Sequence, residues 1–119
     1  MPTRTTNPPF LNGVPEMLIL HLLSHKPMYG YELVGAIRSS SAHALEFGEG
    51  CVYPILHRLE AEGLLAAAAA TVGGRSRITY RVTAKGRRGL AETVGRWEQI
   101  VGAVNRVLRG GPHDESVLA

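Results

Sequence analysis

The sequence predicts a mainly α fold with a small two-stranded antiparallel hairpin, an α+β arrangement that closes with a long C-terminal helix. Three patterns lead there. Apolar residues recur at helical spacing in the first half of the chain. Ile78, Tyr80 and Val82 alternate with Arg77, Thr79 and Arg81 just after Gly73-Gly74, the period of a half-buried strand behind a tight turn. From Leu90 onward, apolar residues step by 4, 3, 4, 3, 4 to Leu108, a heptad seam. With 119 residues, the chain is sized for one domain.

Residues 1–10 are polar and proline-rich and read as a tail, with Phe10 and Leu11 available to dock it. The first helix is expected from about Val14 to His25, with Asn12 or Gly13 as cap, Pro15 in the first turn and Glu16 at the positive helix start. It is apolar on nearly every side, which suits a central position. His21 and His25 are expected as core or helix-end residues rather than ligands. Pro27 ends this helix. A second helix is expected from Tyr29 or Gly30 to Ser40, with Tyr31, Leu33, Val34 and Ile37 on its buried side.

A loop then leads to a third helix. Val52, Ile55, Leu56 and Leu59 share one face. Pro54 requires that this helix start only a few residues earlier, near Gly48 to Gly50, and Gly63 ends it. Leu64–Thr71 is rich in alanine, the best helix former. Pairing with the strand after Gly73-Gly74 opposes that propensity, and strand is the expected state. Thr83 can cap the last helix, about Ala84 to Arg109, and Gly110-Gly111-Pro112 stops it before a tail over 110–119. The domain division is therefore 1–10, 11–83, 84–109 and 110–119. A seam of Leu90, Val94, Trp97, Val101, Val104 and Leu108 is long for one small domain to cover, so this helix is expected to make a homodimer.

The net charge of +3 is unevenly placed. Between Thr71 and Ala91 stand six basic residues (Arg75, Arg77, Arg81, Lys85, Arg87, Arg88) and no acidic one. A basic hairpin beside a short helix is an electrostatic footprint for phosphate. There is no nucleophile–base pair, phosphate-cradling glycine loop or cluster at metal-ligand spacing, so no enzyme activity, metal or cofactor is expected. The lone Cys51 suits a reducing compartment, no apolar run reaches the length that spans a bilayer, and the first residues lack a signal-peptide core; a cytoplasmic protein without membrane attachment is expected.

The segments LNGVPEMLILHLL (11–23), PMYGYEL (27–33), VYPILHRLEAEGL (52–64) and GRSRITYRVT (74–83), followed by Gly86 and Trp97, together resemble the PadR family of bacterial transcriptional regulators. The resemblance implies a winged helix-turn-helix fold in which the hairpin is the wing, with double-stranded DNA as the partner. It also implies repression and an inverted-repeat operator bound by a dimer. Gly50, Cys51, Tyr53, Pro54, His57 and Arg58 then lie at or near the groove-facing helix. Tyr53 is expected at phosphate, and His57 and Arg58 at base edges. Arg75 and Arg77 are expected at the backbone or minor groove, and Tyr31 at a phosphate or in packing. Trp97 fills the dimer seam; in some members of this family the matching aromatic lines a cavity for flat compounds, which makes a small aromatic effector a further partner. Cys51 fits a tight backbone position better than a redox switch. The competing reading is a winged helix used as a protein-interaction module, for which an uncharged or acidic wing is the expected signature.

Overall fold

The computed structural model describes residues 12–110. The two tails, with Phe10, Leu11 and the stop at Gly111-Pro112, lie outside the described residues. The elements run α1 (Val14–His25), β1 (Met28–Tyr29), α2 (Gly30–Ser40), α3 (Glu49–Ala61), β2 (Leu65–Val72), β3 (Arg75–Val82) and α4 (Ala84–Leu108). Helix positions follow the expected order. The sheet differs from expectation in having three strands, ordered β1-β3-β2, all antiparallel. The added strand, β1, sets Met28 opposite Tyr80 and Tyr29 opposite Thr79.

The core lies where α1, α2 and α3 meet the inner face of the sheet. Ile19, Leu23, Leu33, Ile37, Val52 and Leu56 are fully enclosed there. Val52, Ile55, Leu56 and Leu59 are all buried, as their spacing requires. Two members of the core carry no periodic signal. Phe47 reaches in from the loop before α3, and Met28 from β1.

The alanine-rich segment is strand β2, because each residue from Leu65 to Val72 has a partner on β3. Gly73 and Gly74 both adopt positive φ, the geometry of a two-residue turn whose twist matches antiparallel strands. Register divides the hairpin into two faces. Tyr80, Val82 and Leu65 point into the core. Arg75, Arg77, Thr79 and Arg81 point the other way, opposite Val72, Ala70, Ala68 and Ala66.

Thr83 caps α4: its hydroxyl oxygen accepts from the Gly86 amide at 3.0 Å and its proton goes to the Gly63 carbonyl at 2.7 Å. Gly86 touches the end of α3's loop so closely that a Cβ there would stand 2.2 Å from the Leu64 carbonyl oxygen. These contacts fix where α4 starts. Leu90 is buried and Val94 packs partly against the core. Farther along, Trp97, Ile100, Val104, Val107 and Leu108 are all exposed. The seam therefore divides. Its first members meet the chain's own core, and the exposed stripe also takes in Ile100 and Val107. A straight helix of 3.6 residues per turn drifts from a strict heptad by about 20° per repeat, which carries neighbouring positions into the stripe.

Candidate nucleic-acid interface

Residues 28–30 link α3 to the hairpin: the Tyr29 ring meets Arg77 of β3, and Gly30 meets the Tyr53 ring of α3. Gly50, Pro54 and His57 are exposed and one turn apart along α3. Pro54 sits beyond the first turn and has no N–H to donate to the Gly50 carbonyl; Gly50 itself is exposed. Cys51 is half-buried against the core cluster, in keeping with a packing role.

Tyr53 is partly buried and lies across the start of α2. A Cβ on Gly30 would come within 2.4 Å of the Tyr53 ring and 2.7 Å of its hydroxyl. Glycine at position 30 thus makes the seat for this ring. His57 stands one turn on, its ring 6.4 Å from that of Tyr53 and tilted by 47°. Tyr31 is 60% exposed, which places it on the surface and sets aside the packing reading of this residue.

Arg58 is engaged within the chain. Its guanidinium donates to Glu16 of α1 at 2.5 Å and lies 4.0 Å from Glu62. The pair ties α3 to α1. No local pattern announces it, because the partners are 42 residues apart.

The cations of the hairpin and the start of α4 are placed differently. Among the described residues, none of Arg75, Arg77, Arg81, Lys85, Arg87 and Arg88 has a carboxylate within 4.0 Å. Lys85 donates to the Glu62 carbonyl at 2.9 Å. Arg75 is exposed beside the turn. Arg77 lies over the Tyr29 ring, its Cζ 4.5 Å from the ring centre, and its buried Nε has no hydrogen-bond acceptor. Tyr29 escaped sequence reasoning, since a two-residue strand has no period to read.

A separate groove of about 310 Å³ opens between the start of α1 and the middle of α4. Val14, Met17, Thr93, Arg96, Trp97 and Ile100 line it. Trp97 is 41% exposed there. Among the described residues no group of three or more His, Cys, Asp or Glu could hold a metal ion, and no helix is long and apolar enough to cross a membrane.

Comparisons with known proteins agree with this geometry. Residues 19–92 match the transcriptional regulator PadR-like family. Transcriptional regulator Rv3488 of Mycobacterium tuberculosis is 36% identical over 94 residues, covering 79% of this chain and 85% of the relative. The crystal structure of a PadR-like transcriptional regulator from Bacillus cereus superposes with a TM-score of 0.75 at 32% identity, covering 85% of this chain and 97% of the other. A PadR family transcriptional regulator from Eggerthella lenta superposes with a TM-score of 0.71 at 33% identity, covering 83% and 85%. These relatives are named as regulators, not enzymes. The family match over the helices and hairpin identifies the chain as a DNA-binding transcriptional regulator of the PadR-like family.

Proposed function

We propose that the chain acts in the cytoplasm as a homodimeric repressor that grips an inverted-repeat operator. The observation that carries this reading is the set of hairpin cations that have no carboxylate partner among the described residues, together with the exposed Gly50–Pro54–His57 stripe of α3. An unpaired cation cluster on an exposed sheet face attracts polyanion, and a helix at its edge can enter the major groove. In this reading α3 enters the groove and His57 meets base edges. Tyr53 and Tyr31 meet phosphate, with Gly50 and Pro54 keeping the helix surface low enough for close approach. Cys51 supports the helix start from behind. Arg58 holds α3 on α1 through Glu16 and reaches a base only when that pair opens. Arg75 and Arg77 hold the backbone beside the groove.

The homodimer rests on the exposed distal stripe of α4. Leu90 and Val94 anchor the helix on its own chain, while Trp97, Val104 and Leu108, with Val101 half-buried beside them, face a second copy. Residues 11–83 thus serve as the DNA-binding unit and 84–109 as the dimerisation helix. The groove beside Trp97 is the proposed seat of a flat aromatic effector. Binding there biases the spacing of the two reading heads and so releases DNA.

The test is binding to a duplex of the protein's own upstream DNA across a salt series. Sequence-specific binding is expected, with log affinity falling steeply against log salt. Replacing both Arg75 and Arg77 by alanine should reduce the slope by roughly two. No affinity even at low salt would sink this reading in favour of a protein partner.

A further inference from the structure

We infer that Tyr29 is a positioning residue for DNA binding: its ring, pinned at the sheet edge by β1, holds the Arg77 guanidinium ready for a phosphate. The inference rests on the DNA reading above and goes beyond it, because Tyr29 belongs neither to the reading helix nor to the hairpin.

The placement follows from register. Met28 is buried and sits opposite the buried Tyr80. Successive side chains of a strand alternate in direction, so Tyr29 faces the other side, the arginine face. Tyr29 is opposite Thr79, and Arg77 is two residues from Thr79 on the same face. That makes Tyr29 and Arg77 diagonal neighbours, within reach of an aromatic and a long side chain. On its other flank Arg77 is paired with Ala70, whose methyl group offers little support.

The contact itself, at 4.5 Å from Cζ to the ring centre, is cation–π geometry. A guanidinium stacked by its face keeps its in-plane N–H donors free, and those are the donors that grip a phosphate in pairs. In Arg77 they lack a counterion: the buried Nε has no acceptor, and among the described residues no carboxylate lies within 4.0 Å. The Nε is shut away from solvent, so the phosphate is met by the outer Nη donors of a partly buried cation that lacks an anion. A free arginine loses much rotamer freedom on binding; one already stacked loses less. Tyr29 also directly precedes Gly30, the seat of the Tyr53 ring. The same short joint therefore places one proposed phosphate group on the hairpin and one on the reading helix.

A double-mutant cycle tests this. Wild type, Tyr29→Ala, Tyr29→Phe, Arg77→Ala and the Tyr29→Ala/Arg77→Ala double variant are titrated with a mixed-sequence duplex across a salt series, with thermal melts as the fold control. Tyr29→Ala should weaken binding roughly three- to tenfold and flatten the salt slope by up to about one. Tyr29→Phe, which keeps the ring, should bind like wild type. In the Arg77→Ala background, Tyr29→Ala should cost nothing further. Equal losses in both backgrounds would overturn the inference while leaving the DNA reading intact. A second readout needs no DNA. In the free protein the Arg77 Nε–H signal should be shielded by the ring, lose that shift in Tyr29→Ala and keep it in Tyr29→Phe. An unshielded signal in wild type would also overturn the inference. A shielded signal in a wild type that binds no duplex at low salt would instead remove the DNA reading, and the phosphate role with it.

Discussion

The hairpin and the distal half of α4 are both exposed, in opposite ways. The hairpin shows cations with no carboxylate partner among the described residues, on a face whose other side is fixed in the core by Tyr80 and Val82. The distal half of α4 shows Ile100, Val104, Val107 and Leu108, at 60, 48, 74 and 75% exposure, with nothing of the described chain over them. Charge left unpaired on a rigid sheet suits a polyanion, whose counterion release supplies the driving force. Apolar surface left open on a helix suits another apolar face, whose burial supplies the driving force. In the proposed account, one surface answers to DNA and the other to a second copy of the chain.

The largest break in this comparison should come from α4. Ile100→Glu with Val104→Glu puts charge into the apolar stripe and leaves the hairpin untouched. The pair is expected to yield monomers in sedimentation and to lower operator affinity about a hundredfold or more, the scale lost when two linked sites become one. If such a protein stays dimeric, the stripe is not the dimer surface. Trp97→Ala should weaken the dimer more mildly; a dimer left intact with effector binding lost would make Trp97 a ligand residue alone.

Two glycines sharpen the contrast between holding the fold and presenting the site. Gly86→Ala drives a Cβ against backbone, 2.2 Å from the Leu64 carbonyl oxygen, and should cost about 1–3 kcal/mol in stability, read as a lower melting temperature. Gly30→Ala meets a side chain instead, the Tyr53 ring at 2.4 Å, which can swing away. It should change melting less and weaken DNA binding through the displaced Tyr53. Equal thermal losses in both variants would contradict this division.

The smallest effect lies in the core beneath the hairpin. Burial, then the Glu60 carboxylate and Tyr53, raise the Tyr80 phenol above its ordinary 10.0. The folded state therefore keeps this proton to higher pH than the unfolded chain does. Its contribution is complete below pH 10.0 and is lost as pH rises through the raised folded value. Alkaline melts of wild type should fall over that window, and Tyr80→Phe should flatten the fall. An unchanged alkaline profile in Tyr80→Phe would assign the loss to other groups.

Much of this architecture is legible in the residues. Gly73-Gly74 and the alternation of Ile78, Tyr80 and Val82 announce the hairpin, and that partner overrides the helical propensity of Ala66–Ala70. The buried set of α3 follows from spacing alone. What was illegible depends on contacts distant in sequence. β1 exists because Met28 meets Tyr80, and two residues carry no period. Arg58 looks like a free reading arginine until the fold brings Glu16 beside it. Phe47 enters the core from a loop whose sequence gives no direction. The seam on α4 shows in its steps of four and three, yet which members face inward depends on how the helix is seated by Gly86 and Leu90.

The most direct test of the central claim is the footprint and stoichiometry of the protein on its own upstream DNA. The account predicts two chains per site, protecting two inverted half-sites about one helical turn apart, with the Ile100→Glu/Val104→Glu protein unable to form that footprint. One chain per site on a sequence without inverted symmetry would contradict it.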